Sequence, residues 1–469
     1  MEMIIQQITQ ELVKKITKRA YGGGIRDIDA LSSDVLGDCK EAATSIIEAI
    51  CRQVNIQIRN DKQGRKEAGL VLKEKERPRE LLTELGRLDL TRDYYYDKSQ
   101  SRYISVLDHI LGIRSYERIG DTLKARLVEL ATEVSYAKSA DIGCCGEVSR
   151  QTVKNDIHKI APLEKEARWE GKKEVKELHV YADEDHAHLQ KANKEKGKQS
   201  KTVPLVTITE GMDTSCNHRH RTLEPMHFID EDFDTKNLWK STEGYLDKAY
   251  ALEKVKRICI HGDGGKWIKN GLENLPQVIR VMDGYHLEKK IKSISRMFPG
   301  KSVSKRIHDA ISDNDRQRAC EIVRSLYEEA EGVKEMKVVA DFSGYLMNNW
   351  DEIVNRSALD VPGSCTEGLV SHVLSERLSR DPMGWSEEGL GKLAKLRVYV
   401  KNGGEITADA FKMDRNQTYC EYADQVINEV ISETKDWSII DGEPFVFDTA
   451  SGTQRLIHDL GTMRNILWS

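Results

Sequence analysis

A chain of 469 residues, 39% hydrophobic and 32% charged with nine prolines, has a globular composition and the length of about three domains at ~150 residues each. Lys+Arg 72 against Asp+Glu 77 leaves a net charge of −5, a balance that argues neither for nor against nucleic acid. No run nears ~18 apolar residues, no basic start precedes an apolar core at the N-terminus, and nine cysteines form no CxxC pair; no membrane span, secretory leader, disulfide framework or zinc ribbon is expected, and a cytoplasmic protein with reduced thiols is.

The first sixty residues read as helices. Ile5, Ile8, Leu12 and Ile16 recur at three to four residues, Ile46, Ile47, Ile50 and Val54 repeat the spacing, and Gly22-Gly23-Gly24 separates the two runs. Residues 1–80 are therefore expected to be a helical, packing or oligomerisation region. From Thr83 to Tyr96, β-branched and aromatic residues flank a short turn, the pattern of a hairpin. Residues 121–160 read as a helix-turn-helix: a run through Leu127, Leu130, Ala131 and Val134, a break at Cys144-Cys145-Gly146, and a last helix capped by Ser149. Val153, Ile157 and Ile160 face the core there, which leaves Arg150, Gln151, Lys154 and Asn155 outward, residue types that read base edges and phosphates. Hairpin and helices together make an expected DNA-binding domain over 81–165.

From residue 175 the pattern becomes strand-rich. Val175 to Ala182 alternates and ends at Asp183; Val203–Ile208 and Met226–Ile229 follow as strands. A helix over Leu238–Val255, a strand over Ile258–His261, a helix over Trp267–Leu275 and a strand over Val278–Met282 complete the order of an α/β ribonuclease H-like core. Residues 301–360 are helical and charged, and another helix begins near Gly363. Charge is uneven along this part of the chain. Residues 188–201 hold five lysines against one glutamate, residues 286–306 hold seven Lys/Arg against Glu288, and residues 401–469 hold six basic against twelve acidic residues.

Three acids stand where such a core would use them: Asp183 and Asp263 at strand ends, and Glu367 at a helix start. Phosphodiester hydrolysis without a covalent intermediate calls for two Mg²⁺ about 4 Å apart, one activating the attacking oxygen and the other stabilising the leaving one. Mg²⁺ prefers carboxylate oxygens and keeps several waters, so two or three acids suffice. Cys216, His218 and His220 lie close together, but no second cysteine pair completes a zinc knuckle.

Four segments carry a family resemblance: Tyr181-Ala182-Asp183-Glu184-Asp185-His186; Gly262-Asp263-Gly264-Gly265-Lys266-Trp267-Ile268-Lys269; Val281-Met282-Asp283-Gly284-Tyr285-His286-Leu287; and Glu367 with Ser371 to Ser379. With these the sequence resembles the DDE transposases of bacterial insertion sequences, most closely the Lre-type family, distant relatives of Mutator-like transposases. The Thr83–Tyr95 hairpin and the Ser149–Val153 helix fit as well, so the resemblance covers roughly residues 80–400. It implies a ribonuclease H-like catalytic domain over 175–400 with a helical insertion at about 290–360, which accounts for Glu367 lying 104 residues past Asp263. It implies Asp183, Asp263 and Glu367 as catalytic ligands of two Mg²⁺, with Mn²⁺ as a substitute, and Asp283 and His286 as an Asp-x-x-His signature that supports the site or contacts DNA. Glu184 and Asp185 crowd Asp183 and leave the choice within that trio open.

The function implied is a transposase that recognises terminal inverted repeats through the helix-turn-helix, frees a 3′-hydroxyl at the element end and transfers it to target DNA. Its partners would be double-stranded DNA, as transposon ends and as target, and further copies of itself in a dimer or larger assembly associated with the nucleoid. Two other classes stay open: a transposase-derived DNA-binding protein that does not cut, and a ribonuclease H-like nuclease that does not join strands. The acidic region 401–469 has no match in this pattern.

Overall fold

The computed structural model describes residues 2–21, 27–190, 199–213, 215, 221–359, 361, 363, 365–381, 383–412, 419–422 and 424–425, a mixed α/β chain. It divides into two units: 1–81, 87–117 and 413–469 form the first, and 82–86 with 118–412 form the second. Among the described residues no helix is long and apolar enough to cross a membrane.

The first unit follows the apolar spacing of its sequence. Helices α1 (Glu2–Tyr21) and α2 (Ile28–Asn60) are joined by ion pairs, with Arg19 on Asp38 at 2.5 and 3.0 Å and Lys15 on Glu41 at 2.8 Å. Asp27 caps α2 by accepting the Ala30 N–H, one of the donors that the first helical turn leaves free. After the short α3 (Lys62–Glu67), β1 (Leu70–Thr83), β2 (Gly86–Asp97) and β3 (Arg102–Ile104) form a three-stranded sheet in that order, followed by α4 (Val106–Leu111). The expected hairpin is therefore longer than its apolar signal. A guanidinium fork holds it to α2: Arg59 donates to Asp93 at 2.6 and 2.9 Å, and Asp93 is fully buried. Ile58, Leu70, Tyr95, Ile104 and Val106 close the core with Tyr419 and Tyr422, each apolar side chain contributing about 1.5–3 kcal/mol of burial.

The second unit begins with three helices, α5 (Asp121–Glu133), α6 (Tyr136–Cys144) and α7 (Arg150–Lys159). Ser135 and Ser149 cap the latter two by accepting the N–H groups of Lys138 and Thr152. Cys145 and Gly146 both adopt positive φ, 50° and 77°, which ends α6 and turns the chain into α7.

A five-stranded sheet follows in the spatial order β10-β9-β4-β5-β8. Its strands are β4 (Glu177–His188), β5 (Ser200–Thr209), β8 (Met226–Phe228), β9 (Arg257–Gly262) and β10 (Val278–Met282); the small pair β6 (Met212–Asp213) and β7 (Arg221–Thr222) stands apart. β5 runs antiparallel to β4 and β8, whereas β9 and β10 run parallel to β4. β4 does not end at Asp183, as its apolar run predicts. It continues to His188 because β5 pairs with it as far as His188↔Ser200. One sheet face, with Leu178, Val180, Ala182, Ile258 and Ile260, packs on α8 (Thr235–Ala249) through Leu238, Trp239 and Leu246. The helix expected over Trp267–Leu275 is a single turn, α9 (Lys266–Lys269), because Leu272 takes φ 51° and the chain turns there.

Five helices then form a separate core: α10 (Gly284–Met297), α11 (Val303–Ser312), α12 (Arg316–Glu329), α13 (Val333–Asn348) and α14 (Trp350–Ala358), packed through Ile291, Ile307, Leu326, Leu346 and Ile353. This is the helical segment expected at about 290–360. The chain returns in α15 (Thr366–Val370), passes a π-helical turn at Ser371–Ser375, continues through Glu376–Leu378, and ends in α16 (Glu387–Lys401). Gly391 lets α16 lie against the backbone at Glu231, where a Cβ would meet the Glu231 carbonyl.

The domain limits expected from sequence are not those of the structure. Leu127, Val153 and Ile157 of the three helices share one core with Ala187, Val203 and Leu205 of the sheet and with Leu374, Leu390 and Leu393 behind it. Helices of 13, 9 and 10 residues bury too little among themselves, so their apolar faces join the larger core. Two buried arginines seal this joint. Arg397, fully buried, donates to the carbonyls of Thr132 (2.7 Å), His372 (2.8 Å) and Val373 and pairs with Glu133 at 2.8 Å. Arg377 donates to the Ala131 carbonyl at 2.9 Å, with its guanidinium 4.9 Å from the Trp385 ring centroid. The region expected as an acidic tail also divides: Ile406 and Phe411 belong to this core, Tyr419 and Tyr422 to the first unit, and most of the remainder lies outside the described residues.

Candidate metal centre

Strand alternation sorts the side chains of β4. Leu178, Val180 and Ala182 enter the apolar core, so His179, Tyr181 and Asp183 stand on the opposite face. The register then brings three acids to one level. Tyr181 pairs with His261, so Asp183 and Asp263 lie two residues beyond that pair on neighbouring parallel strands. Met282 pairs with Gly262, and the Asp283 N–H donates to the Gly262 carbonyl at 2.7 Å, which sets Asp283 beside Asp263.

The structure brings Asp183, His286 and Glu367 together: one ligand atom from each lies within 4.8 Å of the other two. Asp263 stands at the adjacent strand end, exposed, with Oδ1 accepting the Gly265 N–H at 2.9 Å. Gly264 between them has φ +91°, and Asn349 occupies the space where a Cβ would go. Within the Asp183-Glu184-Asp185 trio the side chains separate. Glu184 accepts from Trp267 Nε1 at 3.0 Å and Asp185 accepts from the Ser379 hydroxyl at 3.0 Å, so Asp183 alone joins the cluster.

Asp283 organises the surroundings. Almost fully buried, it caps α10 by accepting the His286 N–H at 3.1 Å, and the same oxygen lies 3.0 Å from His286 Nδ1. Its other oxygen accepts the Thr366 hydroxyl at 2.9 Å. One carboxylate thus ties β10, the first turn of α10 and the residue before Glu367. An imidazole held at Nδ1 by a carboxylate keeps Nε2 open, the arrangement by which proteins orient a metal-binding histidine. Thr366 was not singled out by sequence; the only signal is its place beside Glu367 at a helix start.

Electrostatics follow from burial. Desolvation pushes the Asp183 carboxyl up to about 6; the charges of Asp263 and Asp283 add to the rise, and His286 opposes it. The hydrogen bond that its ring donates to Asp283 raises His286 above the usual imidazole range. Such a site favours cation uptake: an ion relieves the crowding of acids around Asp183. Two carboxylates suit Mg²⁺, and the imidazole suits Mn²⁺ at least as well.

On α7, Arg150, Gln151 and Asn155 are exposed and Lys154 is half-buried, while Val153 and Ile157 are buried. Gln151 donates to Asn155 at 2.9 Å, and His158 Nδ1 lies 2.9 Å from Glu388 of α16. The basic stretch 286–306 presents Lys289, Lys290, Lys292 and Arg296 on the exposed side of α10. Most of 188–201, with Cys216, His218 and His220, lies outside the described residues.

Residues 25–415 match the model of a family described as Uncharacterised protein family (UPF0236). Among similar proteins of Caldanaerobacter subterraneus subsp. tengcongensis is the UPF0236 protein TTE2489, 37% identical over 77% of this chain and 76% of its own length. Another is 37% identical over 77% of this chain and 75% of its own length, and its name carries four locus designations, TTE0610/TTE0881/TTE1053/TTE2432. A third, 36% identical over the same shares, carries eleven designations, from TTE0033 to TTE2212.

Proposed function

We propose that this chain, which belongs to the UPF0236 family, is a transposase that binds terminal inverted repeats and catalyses metal-dependent DNA cleavage and strand transfer. The observation that carries this reading is the meeting of Asp183, His286 and Glu367, with Asp263 at the next strand end. The sheet order, with β5 antiparallel and β9 and β10 parallel to β4, supports a ribonuclease H-like core. Relatives whose single names span eleven and four loci of one bacterium fit a gene carried by an element that copies itself.

In this reading Asp183, His286 and Glu367 hold a divalent ion, Mg²⁺ or Mn²⁺, and Asp263 serves a second. Such ions lower the pKa of an attacking oxygen and stabilise the departing one. The chain's own groups do the positioning. Asp283 fixes the His286 ring through Nδ1, and the Thr366 hydroxyl fixes Asp283 against the start of the Glu367 helix. Lys289, Lys290, Lys292 and Arg296 neutralise phosphates, and Arg150, Gln151, Lys154 and Asn155 face the element end. Two ends held at once call for a dimer or larger assembly acting at the nucleoid.

The decisive test is cleavage of a labelled duplex carrying the element's own end, with Mg²⁺ or Mn²⁺ and with EDTA. Cutting at the end that EDTA stops is the expected result. Binding without cutting under every divalent ion overturns the proposal and leaves a DNA-binding protein. A second expectation concerns α7. Arg150→Ala with Lys154→Ala should weaken end binding and reduce the slope of log K against log salt by about 2, near 0.9 for each lost phosphate contact. Anisotropy titrations across a salt series read this directly; an unchanged slope removes both residues from the DNA contact.

A further inference from the structure

On the same face of β4 as Asp183, but at the start of the strand, a second group of ligand types comes together. Glu177, His179 and Cys259 each place one donor atom within 4.8 Å of the other two. Glu177 and His179 stand on alternate positions of β4, and Cys259 is the register partner of His179 on β9. We propose that these residues form a binding site for a zinc-class divalent cation, distinct from the Asp183 centre and independent of the transposase reading.

The separations carry the proposal. Cys259 Sγ lies 3.7 Å from Glu177 Oε1, and His179 Nε2 lies 3.4 Å from the same oxygen. A tetrahedral zinc ion with bonds of about 2.3 Å to sulfur, 2.05 Å to nitrogen and 2.1 Å to oxygen spaces sulfur and oxygen by about 3.6 Å, and nitrogen and oxygen by about 3.4 Å. The sulfur and the nitrogen thus already stand from the Glu177 oxygen at the spacing an ion would set. Thiolate, imidazole and carboxylate together select zinc over Mg²⁺. Asp183 is four and six residues farther along β4, about 13 and 20 Å at the strand rise of ~3.3 Å, so one ion cannot serve both groups.

The surroundings are those of a held ligand set. His179 Nδ1 lies 3.1 Å from His261 Nε2. Nδ1–H of His179 can donate to it, which leaves Nε2 as a lone pair aimed at the cluster. Among the described residues, His261 Nδ1 itself is buried without a hydrogen-bond partner. Arg257 grips both Glu177 oxygens at 2.7 and 2.6 Å and fixes the carboxylate. The Glu177 side chain is 30% exposed, an entry for an ion, whereas His179 and Cys259 are buried. A thiol binds the ion as thiolate, so uptake displaces a proton from Cys259 sulfur and should strengthen as pH rises.

Cobalt titration of the full chain tests the site, because a thiolate bound to Co²⁺ gives a near-ultraviolet charge-transfer band. The band should grow to one equivalent per chain and be displaced by Zn²⁺. It should vanish in Cys259→Ser and weaken at least tenfold in apparent affinity in His179→Gln, while Asp183→Asn and Cys216→Ser keep it unchanged. Circular dichroism establishes that each variant is folded, and His179→Gln decides if Cys259→Ser is not. No band in the folded wild-type chain, or one that survives in folded Cys259→Ser or disappears in Cys216→Ser, overturns the site.

Discussion

Asp183→Asn is expected to remove metal-dependent cleavage and, in the metal-free protein, to raise stability. The first effect follows from losing a carboxylate that faces His286 and Glu367. An ion misplaced by that loss forfeits several kcal/mol of transition-state stabilisation, so about 4 kcal/mol corresponds to a rate reduction on the order of 10³. The second follows from burial. The carboxyl stands at about 6 in the folded chain against ~3.9 in an unfolded one. A pKa raised by folding contributes stability that is complete below the unfolded value and is lost as pH rises through the folded value. Ionised Asp183 therefore weakens the fold above pH ~6 by about 3 kcal/mol, and not at all below pH ~4. Asparagine keeps the shape without the charge. The variant should melt several degrees higher than wild type at pH 7.5, with the gain gone at pH 4. Mn²⁺ should raise the wild-type melting temperature and leave the variant's unchanged. Equal melting of both proteins from pH 4 to 8, with cleavage retained, removes Asp183 from the centre.

Arg397→Met carries the other large expectation, a loss of about 3–5 kcal/mol in the second unit, set by the three carbonyls it leaves without a donor. The side chain is fully buried, and its departure leaves the carbonyls of Thr132, His372 and Val373 without the donor they share, with Lys401 as the remaining partner of Glu133 at 3.0 Å. Buried carbonyls without donors lose their desolvation energy in full, whereas methionine returns only packing. Because His372 and Val373 lie in the π-helical turn that continues the Glu367 helix, cleavage should fall with stability. Urea unfolding followed by circular dichroism reads the first effect. A change under 1 kcal/mol excludes Arg397 as the pin of that turn.

The elements were legible where local chemistry decides them. Alternating apolar residues mark β4, β5, β9 and β10, and the serine caps of α6 and α7 mark where those helices begin. Long-range pairing was not legible. β4 runs past its apolar stretch because β5 supplies partners out to Ser200, and nothing local to residues 184–188 announces that. The candidate centre divides in the same way. Asp183 and Glu367 are marked by their motifs, and their meeting with His286 depends on Asp283 capping α10 and turning the ring, a contact between neighbours that spacing alone leaves undetermined. Asp263 has the expected strand-end position, while the direction of its carboxylate follows from the Gly265 N–H two residues on. The three helices read as a domain because their turns and caps are complete; that their apolar faces belong to a larger core is visible only once Val153 and Ile157 meet Leu205 and Leu390.

That common core acts as a ruler. A reading helix on a flexible tether can reach forward or back along a duplex, but α7 shares its interior with the sheet that carries Asp183. Under the proposed function, the number of base pairs between the sequence α7 contacts and the bond that is cut would then be a property of the fold. Inserting one base pair between them turns the contacted groove by about 35° around the duplex. The protein would follow the sequence it reads, and the nick would keep its distance from that sequence rather than from the end of the DNA.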